Sequence, residues 1–125
     1  MPLKLRQASI MNPSGIYNLI CNGEEGTLEL TVDADGIIIN SRIDLFGEIA
    51  PIAGAFNEID GSIEFRAEGG EDKPNPQFQG QVMTLRVTDN LAFAGIGTDY
   101  VPAMKGLAPA INRFGWWAIL RVSNN

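Results

Sequence analysis

The sequence predicts an all-β protein, an eight-stranded antiparallel up-and-down barrel, from three observations. Apolar and polar residues alternate in the stretch 27–32, TLELTV, which is the pattern of a strand with one buried face. Two short segments that end in glycine, 33–36 and 58–61, have the composition of tight hairpin turns. The chain also lacks a long helical crossover that would join parallel strands. A two-sheet β-sandwich is the alternative fold.

The same patterns give the expected elements in order. Strands are predicted at 16–21, 27–32, 37–43, 48–57, 62–67, 77–87, 91–101 and 115–122. Closing these strands into a barrel removes the exposed edges of an open sheet. The first 13 residues show no clear period, so we expect an N-terminal arm at 1–13 and a single barrel domain at 14–125.

Two features in the last third of the chain refine this picture. Gly95 and Gly97 are two residues apart and lie on one face of their strand, which leaves room for something large opposite. Between positions 102 and 112 the apolar residues have the spacing of one helical stripe, which predicts a helical turn packed on the sheet. That stripe consists of Met104, Leu107, Ala108 and Ile111.

Charge and composition exclude several partners. The net charge is −6, and residues 22–72 hold 13 acids against two arginines, so the middle of the chain forms an acidic surface. The basic residues are too few and scattered for a phosphate-binding surface, so nucleic acid is not expected as a partner. No apolar run reaches the ~18 residues of a membrane span, and no signal peptide is recognised. A cytoplasmic protein is the default expectation.

Catalytic and metal chemistry find little support. The sequence has no histidine, which removes histidine-based triads and the commonest metal ligand. Cys21 is the single cysteine, so neither an intrachain disulfide nor a cysteine-rich zinc site is possible. The segment 33–36 departs from the calcium-loop pattern, and Gly95-Ile96-Gly97 lacks the rest of a dinucleotide fingerprint. We expect no catalytic residues, no metal and no cofactor.

Five residues are candidates for ligand binding. Tyr17 and Asn18 lie on the first predicted strand and Trp116 and Trp117 on the last, and these strands are neighbours when a barrel closes. Aromatic rings and an amide are then expected at one mouth of the barrel. Asp99 is the only acid near the glycine-lined strand. Consecutive strand positions point to opposite faces, so one tryptophan is expected in the core and the other on the outside.

Short motifs in the first half of the chain resemble the avidin and streptavidin family, within the larger group of lipocalin-like barrels. They are Gly15-Ile16-Tyr17-Asn18 in the first strand, Gly26-Thr27 at the start of the second, and Asp35-Gly36 in the following turn. The resemblance implies an eight-stranded barrel with a ligand at its open end, often in a tetramer. Biotin binders of that family stack the ligand between several Trp rings, whereas no Trp precedes Trp116 here. Biotin is therefore not the expected ligand.

Two functions follow from these observations. The first is a non-catalytic barrel that binds a small molecule or a glycan, indicated by the paired glycines and the aromatic residues at the closing strands. The alternative is a structural or interaction module with a solid barrel, which forms a homo-oligomer, a dimer or a tetramer, through the outward tryptophan and the 104–111 stripe. An enzyme that uses a barrel cavity ranks third. The presence of an interior cavity separates the first two.

Overall fold

The structure, a computed structural model, describes residues 12–45, 47–68, 76–84, 91–101, 106, 108 and 110–121. Each strand pairs antiparallel with the next, and the last strand pairs with the first to close a barrel. The strands are β1 Gly15–Cys21, β2 Glu24–Leu30, β3 Ile37–Leu45, β4 Glu48–Asn57, β5 Ser62–Ala67, β6 Gln77–Thr84, β7 Leu91–Val101 and β8 Ala110–Leu120. The predicted eight-stranded antiparallel barrel is confirmed.

Alternation along the strands separates an apolar interior from a more polar outer surface. In β5, for example, Ile63, Phe65 and Ala67 are buried while Glu64 and Arg66 are exposed. The interior is contributed by every strand, and it holds Tyr17, Leu19, Leu28, Leu30, Ile43, Ile52, Phe56, Ile63, Phe65, Phe78, Phe93 and Trp116 among others. Removal of this continuous cluster from water provides the hydrophobic stabilisation that drives folding.

The two predicted glycine turns are present. Gly36 and Gly61 have positive φ angles of 85° and 76°, a region that side chains with a Cβ rarely adopt. Oδ1 of Asp33 accepts hydrogen bonds from the backbone N–H groups of Asp35 and Ile37, at 2.8 and 3.0 Å. Local side-chain bonding of this kind is what makes aspartate a turn residue.

The expected helical turn at 102–112 is wrong over its described C-terminal end. Ile111 and Asn112 lie in β8, which begins at Ala110 because it pairs with β7 along its full length, Val101 opposite Ala110. Ala108 is outside any helix, and the other two stripe residues, Met104 and Leu107, lie outside the described residues. Pairing with a long neighbouring strand thus outweighed a local apolar period, as tertiary context commonly does.

Other strand ends also differ from prediction: β1 begins one residue earlier, at Gly15, and β3 continues to Leu45 instead of ending at 43. β2 spans Glu24–Leu30 instead of 27–32, because its N-terminal residues pair with the end of β1 across a two-residue turn. Beyond Leu30, Val32 makes only an isolated bridge to Ile38. β6 ends at Thr84, and the predicted continuation, 85–87, lies outside the described residues.

The packing begins before β1. Pro13 is buried, its carbonyl accepts a hydrogen bond from the Tyr17 hydroxyl, and Oγ of Ser14 accepts one from the backbone N–H of Val32. Residues 12–14 therefore close the barrel end at which β1 starts, while the rest of the predicted arm lies outside the described residues. In the described part of the chain, no helix has the length and apolarity needed to span a membrane.

Candidate functional site

The barrel interior is filled by aromatic rings. Phe65 and Phe78 stack with their centroids 4.7 Å apart, and Trp116 packs edge-on against both rings, at 5.6 and 5.7 Å. Phe114 continues the cluster, 5.4 Å from Phe78. Such contacts add to the burial of large apolar surfaces and fix the rings relative to one another. These described rings therefore pack against one another in the interior beside β5, β6 and β8.

Glycines in the wall make room for these rings. A Cβ at Gly80 would lie 2.6 Å from the Trp116 indole, and a Cβ at Gly97 would overlap the ring of Phe114. The predicted space opposite the glycine-lined strand exists, and side chains of the same barrel occupy it. The Trp116 indole also donates a hydrogen bond to the backbone carbonyl of Gln79, at 3.2 Å. The tryptophan is therefore positioned as a core residue.

The two tryptophans have opposite environments, as predicted. The side chain of Trp116 is 2% exposed and lies in the core, whereas Trp117 is 45% exposed on the outer surface. β8 lies between β7 and β1, so Trp117 is flanked by Ala94 on one side and Ile20 on the other. Its immediate surroundings on the wall are apolar.

The two candidate residues on β1, Tyr17 and Asn18, do not meet the tryptophans at one mouth of the barrel. Tyr17 is fully buried, and its hydroxyl donates to the Pro13 carbonyl at 2.5 Å, where burial raises its pKa well above the ordinary value. Asn18 points outward, and its Oδ1 accepts a hydrogen bond of 2.8 Å from Nε of Arg121. Because Tyr17 and Asn18 lie on opposite faces of one strand, the expected convergence of these aromatic and amide groups does not occur.

Asp99 stands apart from the other candidates. It shares the inward face of β7 with Phe93 and Gly97, near the barrel end at which β7 finishes. Its Oδ1 is buried and has no hydrogen-bond partner. Removal from water raises the pKa of the Asp99 carboxyl above its ordinary value.

The outer wall divides into two halves of different chemistry. Strands β2–β5 carry outward charges, whereas β1, β6, β7 and β8 contain one acid, the inward Asp99. We call the outer surface of β7, β8 and β1 the seam face. Its apolar side chains are Ile16, Ile20, Ala94, Ile96, Ile111, Trp117 and Ile119, of which four are at least 44% exposed: Ile16, Ile96, Ile111 and Trp117.

Other candidate sites carry less chemistry. A depression of about 280 Å³ crosses the outside of β4–β6, where Ala53 and Ala55 form a low floor between polar side chains such as Glu64 and Gln79. Within the described ranges, no group of three or more Cys, Asp and Glu side chains is placed to hold a metal ion. Cys21 is buried, and desolvation raises the pKa of its thiol to about 11, so it is not a ready nucleophile.

The packing of the rings into one cluster was not predicted, although the sequence contains a signal for it. Phe114 and Trp116 are two residues apart, as are Gly95 and Gly97, and the structure pairs each glycine with one ring residue across β7 and β8. Large and small side chains at matching intervals on adjacent strands are typical of a filled small barrel. The register between the strands was the missing information.

Comparisons with known proteins leave the family open. No family model matches the chain, and no curated protein and no solved structure gives a match. The avidin-like resemblance of the β1 and β2 motifs stays a prediction.

Proposed function

We propose that the protein is a non-catalytic structural or interaction module that acts by homo-oligomerisation through the seam face. One observation carries the proposal: an exposed tryptophan, Trp117, lies in an apolar, acid-free wall of a chain whose net charge is −6. A ligand inside the barrel, the other function expected from the sequence, has less support because aromatic rings pack against one another in part of that space.

Exposed apolar surface supports the choice of this face. Isolated exposed isoleucines are common on proteins, but here several lie on three adjacent strands around one large aromatic side chain. Tryptophan is enriched among the residues that contribute most to interfaces, because its ring buries a large area at a small cost in conformational entropy. Trp117 is the natural anchor of such a contact.

Charge supports a second copy as the partner. Two copies of a protein with a net charge of −6 repel each other, and the repulsion is smallest when they meet through surfaces without acids. The outward positions of β7, β8 and β1 contain no aspartate or glutamate and a single arginine, Arg113. The acidic strands β3–β5 then lie away from the contact, and β2 borders it, with Glu25 and Glu29 opposite Ile20 and Ile16.

Shape supports a two-fold contact. Gly115 and Trp117 are adjacent outward positions on β8, and a Cβ at Gly115 would meet nothing within 4 Å. The wall therefore has a bulky side chain beside an open dent. A two-fold axis near Trp116 places each Trp117 over the Gly115 of the other copy, and this reciprocal arrangement is the self-complementarity that closed dimers require. A tetramer would need a second contact.

The test uses a matched pair of substitutions. Ile96 on the seam face and Ile49 on β4 are 60% and 62% exposed, so Ile96→Glu and Ile49→Glu place the same charge at equally exposed strand positions. We expect the unmodified protein to show at least twice its 13.5 kDa monomer mass by sedimentation at micromolar concentration. Ile96→Glu should give the monomer, whereas Ile49→Glu should leave the mass unchanged.

Two results would contradict the proposal. A monomeric mass for the unmodified protein at high micromolar concentration would show that the seam face does not self-associate. Equal dissociation by the two glutamate variants would show that added charge, regardless of its position, separates the copies. Circular dichroism of both variants establishes that each retains the β fold.

A further inference from the structure

A second site is indicated by a carboxylate that lacks a partner. Among the residues that the structure describes, Oδ1 of Asp99 is the one buried side-chain oxygen or nitrogen without a hydrogen bond. Buried polar atoms in folded proteins are nearly always paired, and leaving one unpaired is unfavourable because it has lost its hydrogen bonds to water. An orphaned carboxylate oxygen at a barrel end therefore calls for a donor that the described residues do not supply.

The surroundings of this oxygen combine an aromatic ring and an amide. Register pairs Asp99 with Asn112 and Gly97 with Phe114, and all four share the inward face of β7 and β8. The Phe114 ring lies over Gly97, one inward position away from Asp99 along the strand. Phe114 is half-buried and Asn112 is exposed, so along the inward face Asp99 is placed at the level between a ring residue and the last described inward position of β8.

No described cation faces this carboxylate. Arg113 is adjacent to Asn112, but strand alternation directs it to the outer surface. The two ion pairs of the described residues, Glu29 with Arg42 and Arg66 with Glu68, lie on other strands. The negative charge at the end of β7 is thus uncompensated by the part of the protein that the structure describes.

We propose that this end of the barrel, formed by Asp99, Asn112 and Phe114, binds a small organic ammonium ion. The ammonium donates a charge-assisted hydrogen bond to Oδ1 of Asp99, and its alkyl portion packs against the Phe114 ring. The side-chain carbonyl of Asn112 can accept a further N–H. This site is separate from the seam face, which lies on the opposite surface of the same strands.

Other ligand classes fit these groups less well. An anion is repelled by the carboxylate, and a metal ion prefers several charged or carbonyl ligands, which the described residues do not gather here. A neutral alcohol can donate to Oδ1 but leaves the negative charge uncompensated. An ammonium supplies both a donor and the opposite charge.

The experiment uses probes of one size and different charge. Binding of n-butylammonium, n-butanol and butyrate is followed by amide chemical shifts at low protein concentration, with the unmodified protein, Asp99→Asn and Asp44→Asn. Asp44 is an exposed carboxylate on the outside of β3 and serves as the control. We expect n-butylammonium to bind in the millimolar range and to shift amides of β7 and β8. Asp99→Asn should weaken it about tenfold or more, the effect of one charge-assisted hydrogen bond, and Asp44→Asn should not.

Further variants keep the proposal falsifiable if Asp99→Asn perturbs folding. Phe114→Leu retains an apolar side chain but removes the ring, and it should weaken n-butylammonium several-fold. Equal binding of n-butanol and n-butylammonium would overturn the proposal in favour of a merely apolar site. Absence of binding would overturn it too.

The chain's own lysine at position 105, outside the described residues, needs a separate control. Lys105→Met should leave n-butylammonium binding unchanged. If this variant binds the probe more tightly, the lysine competes for Asp99 and the proposal of an external ammonium is wrong. None of these outcomes depends on self-association through the seam face, because the measurements are made on dilute protein.

Discussion

The two halves of the barrel wall solve different problems. On β2–β5, outward Glu25, Glu29, Asp44 and Glu64 with the two arginines of those strands keep the surface in contact with water. On β7, β8 and β1 the outward side chains are mostly apolar, and Trp117 is the largest of them. The charged outer surface of β2–β5 is suited to contact with water alone. The seam face has the composition of a surface that is covered by another protein.

The interior is divided along different strands. Behind the charged wall, β2–β4 contribute mainly aliphatic side chains such as Leu28 and Ile43, whereas the ring cluster lies against β5, β6 and β8. Aromatic rings need close backbone approaches, which the glycines of β6 and β7 provide. Gly80 and Gly97 therefore mark positions where an aromatic ring packs directly against the backbone of the wall.

The largest expected effect separates the inside of the seam strands from their outside. Trp116→Ala removes a buried indole between Phe65 and Phe78 and should lower the free energy of unfolding by about 3–5 kcal/mol. Trp117→Ala removes a half-exposed indole and should cost less than about 1 kcal/mol in dilute protein. Urea denaturation at low concentration measures both. Similar losses for the two variants would contradict the assignment of one tryptophan to the core.

The next effect tests whether the glycines make room for rings. Gly97→Ala forces a methyl group into the Phe114 ring and should destabilise the fold by about 1–3 kcal/mol. Gly115→Ala is the matched control in dilute, monomeric protein, because a Cβ there meets nothing within 4 Å in its own chain, and it should change stability by less than about 1 kcal/mol. In the background Phe114→Leu, the cost of Gly97→Ala should fall. A cost that does not depend on residue 114 would show that backbone strain, not the ring, opposes the methyl group.

Much of the fold was predictable from the chain. Alternation and turn chemistry gave eight strands, and three of them, β4, β5 and β7, have the predicted bounds. Both are local signals, readable within a few residues. The start of β8 at Ala110 was not predicted, because it depends on the length of its partner strand, while the residues themselves also match a helical period.

The candidate sites were less predictable for the same reason. That one tryptophan would be buried and the other exposed follows from strand alternation alone. Which one is buried depends on the parity of β8 relative to the core, a property of closure between β7 and β1. We expected Tyr17 and Asn18 to converge with both tryptophans. Adjacent residues of a strand face opposite sides of the sheet, so these four side chains do not lie together. The isolation of Asp99 among the acids was visible in the sequence, but its unpaired oxygen required coordinates.

A smaller effect comes from Asp99, the one acid in strands β1, β6, β7 and β8. Its pKa is raised in the folded state by desolvation, so the folded protein binds this proton more tightly than the unfolded chain does. The carboxylate therefore destabilises the fold at neutral pH, and the destabilisation disappears as pH falls through the folded pKa towards the ordinary value. Asp99→Asn should raise the melting temperature at pH 7 and change it little near pH 4.

The smallest expected effect belongs to the charged half. Nη2 of Arg42 lies 2.9 Å from Oε2 of Glu29, and the two side chains are 56% and 41% exposed. Exposed pairs gain little because water screens the attraction and both side chains lose conformational freedom, so Glu29→Gln should cost less than about 1 kcal/mol. Molar salt should remove most of that cost, since the Debye length is then only about 3 Å. A double-mutant cycle with Arg42→Gln isolates the pair from other effects of each substitution.

The seam face should respond to salt in the opposite way. Apolar association should persist or strengthen in molar salt, because screening also reduces the repulsion between two acidic copies. A coupling energy above about 2 kcal/mol between Glu29 and Arg42, or dissociation of the oligomer by salt, would mean that charge organises both halves and that the contrast between them is wrong.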